Sequence, residues 1–161
     1  MKTLRSTGMS LLEVAVVLGI IAIVAAIGWQ GQALRARYAL RSAATQLIAD
    51  LRAAQNRAIG ERLPDRAHGI EFPASKDRYV VAVQDDLART PVKVHNLPSS
   101  VRITYAVFGG ADPSSVWFTG TSLLGAPSGG GTVTFTSNGV QLCVRVLPAT
   151  GRIRLAQTGC P

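Results

Sequence analysis

The sequence predicts an α+β fold in which a long N-terminal helix packs on an antiparallel β-sheet head. No proline occurs before Pro64, and residues 35–59 contain no glycine and are rich in Ala, Leu, Arg and Gln, which favour helix. After Pro64 the chain consists of short β-prone runs separated by glycine, proline and asparagine. The length of 161 residues has room for one such head domain.

The first half of the predicted helix is apolar on every side. Glu13 is the only charged residue in 9–34, and 14–27 is apolar apart from one glycine. Lys2 and Arg5 precede this stretch, and a basic start followed by an apolar run directs a segment to a membrane. A carboxylate inside such a run costs about 2.5–3.5 kcal/mol on insertion scales, so Glu13 indicates a function that supplies a partner.

The second half of the predicted helix is amphipathic, and its apolar side is expected to pack on the head. The apolar residues recur at spacings of three and four within an arc of roughly 80°. They are Leu40, Ala44, Leu47, Leu51, Ala54 and Ala58. Gly60 and Pro64 predict the end of the helix.

Eight short runs rich in β-branched and aromatic residues predict the strands of the head. They are 69–72, 79–83, 92–96, 101–107, 115–118, 132–136, 142–147 and 153–155. Asn138-Gly139, between the sixth and seventh runs, predicts a tight hairpin. The pattern predicts neither the order of the strands nor their pairing.

Composition argues against catalysis and against a bound metal or cofactor. The chain has two cysteines and two histidines, His68 and His95, with no cluster that matches a metal-ligand spacing. A nucleophile and base would have to come from Ser99, Ser100 and His95, in a proline-containing loop without an orienting acid. We therefore predict no enzyme activity, no catalytic residues, no metal and no cofactor. The net charge of +8 comes mainly from 14 arginines.

The segment GMSLLEV at residues 8–14 resembles the leader of type IV pilins and pseudopilins. The resemblance implies that a prepilin peptidase cuts between Gly8 and Met9 and methylates the new N-terminal amine of Met9. Glu13 then becomes the fifth residue of the mature chain and pairs with that amine on a neighbouring subunit, which neutralises both charges. The family usually has phenylalanine where this chain has Met9. The alternative is a signal-anchor with an incidental glutamate.

The same resemblance implies three segments and a location. Residues 1–8 are a leader that is removed, 9–31 a transmembrane and assembly helix, and 32–161 a periplasmic head. The protein is then a single-pass protein of the bacterial inner membrane that later enters a filament. Its expected partners are other pilins or pseudopilins, the prepilin peptidase and the inner membrane.

Two cysteines near the C-terminus are expected to form a disulfide in the oxidising periplasm. Cys143 lies in the penultimate predicted strand and Cys160 is the second-last residue, so the bridge closes a loop of 16 intervening residues. Such a loop gives a stabilisation of roughly 3 kcal/mol in the chain-entropy model. The alternative is a pair of buried thiols.

The tail sequence Gly151-Arg152-Ile153-Arg154 resembles the GRxR signature of the GspH/FimT family. That family contains minor pilins of type IV pili and minor pseudopilins of type II secretion. In the FimT branch the motif is associated with binding incoming double-stranded DNA during natural transformation.

The chemistry of the tail is compatible with DNA. Arg152 and Arg154 fall on one face of a strand, and together with Arg145 they can donate to backbone phosphates. Gly151 is expected to let a ligand approach the backbone closely, and no acidic residue follows Asp112. The alternatives are arginines that face solvent or an acidic neighbour in the filament, and a type II secretion pseudopilin that does not bind DNA.

Overall fold

The computed structural model describes residues 10–86, 88–121 and 125–161, without the side chains of residues 27–33. The predicted cleavage site at Gly8 and Met9 lies outside the described residues. By its contacts the chain forms two units, Met1–Arg35 and Ala36–Pro161.

Helix α1 spans Leu11–Glu61, in agreement with the predicted single long helix. It begins after Ser10, whose carbonyl accepts a hydrogen bond from the amide of Glu13 at 2.9 Å and whose Oγ accepts one from the amide of Leu12 at 3.4 Å. Glu13 stands three residues after Ser10, which is the spacing of a capping box, and its charge suits the positive end of the helix dipole.

The helix ends between the two predicted stop signals, Gly60 and Pro64. It continues to Glu61, and Arg62 then adopts a left-handed conformation with φ 52° while its amide donates to the carbonyl of Ala58. The helix must stop before Leu63, because the residue before a proline disfavours helical geometry. Pro64 therefore sets this end, and Gly60 fits inside the last turn.

Within the first unit, the described side chains of α1 are exposed and mostly apolar. Exposed fractions range from 39% at Val14 to 91% at Leu11. Within the described residues, no helix has the length and apolarity that crossing a membrane requires.

The second unit contains eight strands in its described residues, and each contains most of a predicted run. They are β1 (Arg66–Glu71), β2 (Arg78–Asp85), β3 (Ala88–Asn96), β4 (Arg102–Phe108), β5 (Ser115–Thr119), β6 (Gly131–Ser137), β7 (Val140–Val146) and β8 (Ile153–Ala156). They form two four-stranded antiparallel sheets, in the orders β3-β2-β1-β5 and β4-β6-β7-β8. The predicted antiparallel β-sheet head is confirmed, and its strands, whose order the sequence left open, divide into two sheets.

The hairpin predicted at Asn138-Gly139 is confirmed. It joins β6 to β7 with Ser137 opposite Val140, and both turn residues have positive φ, 47° and 77°. Positive φ at both central positions defines a type I′ turn, which the Asn-Gly pair favours.

The predicted apolar face of α1 forms the centre of the core. The six residues of that face are at most 2% exposed, and they pack with side chains from both sheets such as Ile70, Phe118, Phe135 and Val144. Because one helix face covers both sheets, α1 is what joins them into one core.

Candidate nucleic-acid interface in the C-terminal tail

The last strand is set by a short turn that ends at a left-handed glycine. The amide of Gly151 donates to the carbonyl of Leu147 at 2.9 Å, and the amide of Leu147 donates to the carbonyl of Arg152 at 3.0 Å. The amide of Arg152 also donates to Thr150 Oγ1 at 3.3 Å. Gly151 has φ 61°, which glycine adopts without the strain that a β-carbon adds. This turn reverses the chain from β7 into β8.

Gly151 is buried, and the space beside it is filled by the protein itself. A β-carbon at this position would overlap the carbonyl oxygen of Gly125 and the side-chain amide of Gln55. Gln55 Nε2 donates to the carbonyls of Gly125 at 2.8 Å and Gly151 at 3.4 Å. The close approach expected at Gly151 is thus made by Gln55 and Gly125 of the same chain. Sequence reasoning missed both residues, because nothing local marks a polar helix residue as a tail contact.

Three exposed arginines, hereafter the tail arginines, come together on β7 and β8. They are Arg145, Arg152 and Arg154. Arg145 lies directly opposite Arg154 in the β7–β8 pairing, and Arg152 and Arg154 flank Ile153, which is 9% exposed. Arg152 immediately precedes β8 rather than lying inside it. The alternation nevertheless places both side chains on one face, as the sequence predicts, and both are exposed.

The described residues place no carboxylate within ion-pair distance of the tail arginines. Arg145 donates to the carbonyl of Gly159 and so holds the C-terminal segment. Arg152 and Arg154 leave their guanidinium donors to solvent, and guanidinium forks match the geometry of phosphate oxygens. This pair is the part of the tail that can bind an anion.

The disulfide between Cys143 and Cys160 is present, as predicted. Cys143 is fully buried on β7, and its Cα lies 5.7 Å from that of Cys160. By alternation Cys143 shares a sheet face with Arg145, so the bridge draws the C-terminal segment over the side of β7 that carries Arg145. This explains why the carbonyl of Gly159 reaches the Arg145 guanidinium.

A separate polar cluster attaches α1 to the first sheet. The Tyr79 hydroxyl donates to Asp50 Oδ2 at 2.7 Å, and His95 Nε2 and Lys93 Nζ lie 3.1 and 3.9 Å from the same carboxylate. Burial, and then the hydrogen bond to the Asp50 carboxylate, raises the pKa of Tyr79 above its usual range. In the described chain no group of His, Cys, Asp and Glu is arranged to hold a metal.

The residues of the predicted processing and assembly site are placed as follows. Glu13 is exposed in the first turn of α1, whereas Gly8 and Met9 lie outside the described residues. The tail arginines and the two cysteines therefore lie close together in the second unit, whereas Glu13 belongs to the first unit.

A long N-terminal helix with an exposed apolar start and a buried second half on antiparallel sheet defines the pilin class of structural proteins. Solved structures agree. The minor pseudopilin EpsH of the Vibrio cholerae type 2 secretion system has a TM-score of 0.58 at 15% identity, covering 75% of this chain and 98% of that chain. The Pseudomonas aeruginosa type IV minor pilin FimU has a TM-score of 0.56 at 22% identity, covering 78% and 94% respectively.

The family profile described as "Type II transport protein GspH" matches residues 43–150. The protein belongs to this family, the GspH/FimT family of the type IV pilin and pseudopilin superfamily. Comparison with curated proteins gave no significant match. Proteins of this superfamily are structural, and this chain is accordingly a minor pilin or pseudopilin rather than an enzyme.

Proposed function

We propose that the protein is a minor pilin that assembles into type IV pilus filaments through its N-terminal helix and binds double-stranded DNA through Arg152 and Arg154. The observation that carries the DNA part is the pair of outward guanidiniums beside Arg145, in a tail that has no acidic residue after Asp112. Base recognition is not part of the proposal, because the contacts available are with phosphates.

Assembly requires a cleaved and anchored N-terminus. Residues 1–8 are removed between Gly8 and Met9, residues 9–31 anchor the chain in the inner membrane, and residues 32–161 form the periplasmic head. Exposed apolar side chains along the start of α1 support an anchor that a filament later buries. The Cys143–Cys160 disulfide supports the periplasm, because such bridges persist in oxidising compartments.

Intact mass spectrometry of protein extracted from membranes tests the processing. We expect a chain that starts at Met9 and carries one methyl group, the product of the prepilin peptidase. A mature chain that starts after residues 24–26 would instead indicate an ordinary secretory signal and would overturn the assembly proposal.

DNA titrations at several salt concentrations test the tail arginines, using the full chain in neutral detergent. Each phosphate contact adds about −0.9 to the slope of log K against log salt, so Arg152→Gln with Arg154→Gln should flatten the slope by about two units on every duplex sequence. The matched control replaces Arg78 and Arg102, two exposed strand arginines outside the tail. A tail variant with the parent's slope would contradict the DNA proposal.

The second candidate is a minor pseudopilin of a type II secretion system that binds no DNA. The family description and the likeness to EpsH favour it. Absence of DNA binding by the parent at low salt, together with secretion genes beside the coding sequence, would decide for this candidate.

A further inference from the structure

An open cavity of about 420 Å³ lies within the head. It is bounded by the first turns of α1 in that unit, by the start of β7 and by the end of β8. Two arginines and two glutamines supply its polar groups, and aliphatic side chains supply the rest. The lining residues are Arg37, Leu40, Arg41, Val140, Gln141, Leu142, Leu155 and Gln157.

The polar groups of this cavity are suited to an anion. Arg37 and Arg41 are exposed and stand one helical turn apart, so their guanidiniums project from the same side of α1. Two like charges at this spacing destabilise a helix unless an anion lies between them. Gln141 and Gln157 add amide donors from the opposite wall.

Arg37 and Arg41 form no ion pair with a carboxylate of the described residues. Asp50 is the only acidic residue between positions 36 and 57, and it lies roughly 180° around the helix from Arg41. It is held there by Tyr79 and His95. The cavity therefore has cationic walls without a neutralising partner.

The cavity and the tail arginines lie on opposite faces of the second sheet, on either side of its edge strand β8: Leu155 lines the cavity, and by alternation Arg154 points away from it. β8 is the last strand of its sheet, and Gln157 follows it directly. Gln157 lies three positions after Arg154, at most about 10 Å along the chain. One strand of duplex DNA presents a phosphate about every 3.4 Å along the helix axis, so a backbone that runs past the exposed edge of β8 meets both sides of the strand within a few nucleotides.

We propose that this cavity is a second phosphate site of the same DNA surface, in which Arg37 and Arg41 bind the backbone a few nucleotides from the contacts of Arg152 and Arg154. The inference rests on the proposed function of the tail, and it extends the interface from β8 onto α1. The ligand at both places is the phosphodiester backbone of a duplex.

The test compares two double variants of the full chain in neutral detergent, Arg37→Gln with Arg41→Gln and Arg152→Gln with Arg154→Gln. Binding to a mixed-sequence duplex is measured from low to physiological salt. The helix variant should flatten the salt slope by about two units, which makes its deficit relative to the parent shrink roughly tenfold over a fourfold rise in salt. Arg57→Gln is the matched control, because Arg57 is exposed on α1 and lies roughly 160° around the helix from Arg41.

The two proposals fail in different ways. If the tail variant loses slope and the helix variant keeps the parent's slope and Kd, the second site is wrong while the tail site stands. If the tail variant keeps the parent's slope, the proposed function is wrong. A helix variant that keeps DNA binding but partitions less into phosphatidylglycerol vesicles would assign Arg37 and Arg41 to the membrane surface and would overturn the inference. A circular dichroism spectrum equal to the parent's confirms that each variant is folded.

Discussion

Replacing Gly151 by alanine should destabilise the head strongly, although the position lies in a surface motif. The β-carbon would overlap the carbonyl oxygen of Gly125 and the amide of Gln55. A backbone carbonyl cannot move aside by rotating a side chain, so the Gly125 segment or the turn before β8 must shift. Either shift disturbs the two hydrogen bonds that Gln55 donates.

The expected loss in the free energy of unfolding of Gly151→Ala has two parts. An alanine held at φ 61° costs about 1 kcal/mol relative to glycine. The loss or distortion of two part-buried hydrogen bonds adds about 1 kcal/mol each. The free energy of unfolding should therefore fall by about 3 kcal/mol, which lowers the Tm of a domain of this size by roughly 10 °C.

Gly139→Ala is a control that measures the first part alone, the cost of an alanine at a positive φ. Gly139 also has a positive φ, 77°, but a β-carbon there meets nothing within 4 Å. Urea denaturation of the oxidised protein should give a loss of about 1 kcal/mol for Gly139→Ala, against about 3 kcal/mol for Gly151→Ala. Equal losses would refute the packing role of Gly151. A Gly151→Ala protein that is still folded at low temperature should keep the parent's DNA salt slope, because the glycine packs inward.

Three further outcomes follow from other contacts. Cys143→Ser with Cys160→Ser should lower the free energy of unfolding by about 3 kcal/mol, measured by urea denaturation, and reductant should have no further effect on that variant. Asp112 has its pKa lowered to about 2, first by the Ser114 hydroxyl, so its contribution is present above the unfolded pKa of 3.8 and is lost as the pH falls toward 2. Since this carboxylate is partly exposed, Asp112→Asn should remove about 1 kcal/mol at neutral pH and flatten the acid limb of the stability profile; an unchanged limb would contradict this. Glu13→Ala should remain in membranes but be depleted from sheared filaments at equal expression, and normal incorporation would count against its pairing with a neighbour's amine.

The sequence predicted the regular parts of the fold well, because each has a local signal. The helix face from Leu40 to Ala58 follows from a spacing of three and four, and the type I′ turn follows from Asn138-Gly139. The division into two sheets had no such signal, since strand pairing depends on contacts between distant residues. The helix end was predicted at Gly60 and Pro64, and α1 ends between them at Glu61, because Pro64 prevents the helix from reaching Leu63.

The sequence predicted which charged residues make up the candidate site, but it did not predict how the neighbouring residues pack around them. The outward direction of Arg152 and Arg154 follows from alternation alone, whereas the Gln55 contact and the neighbouring cavity depend on how α1 lies along β8. Long-range packing of this kind leaves no mark in the local sequence. The buried role of Gly151 was missed for the same reason.

The distribution of charge gives the tail and the helix a common explanation. Every ion pair in the described residues uses an acid from the range 50–112, and these acids neutralise cations on the first sheet and its loops. Among the described residues the tail arginines, and Arg37 and Arg41 on α1, have no such partner, so positive charge is left uncompensated on both sides of β8. Mutual repulsion among these charges weakens the folded state, and a polyanion that lies across both places removes the repulsion while it binds. A motif that served only to shape the turn would need Gly151 and nothing more, and the proposed phosphate contacts give the two exposed arginines that follow it a function of their own.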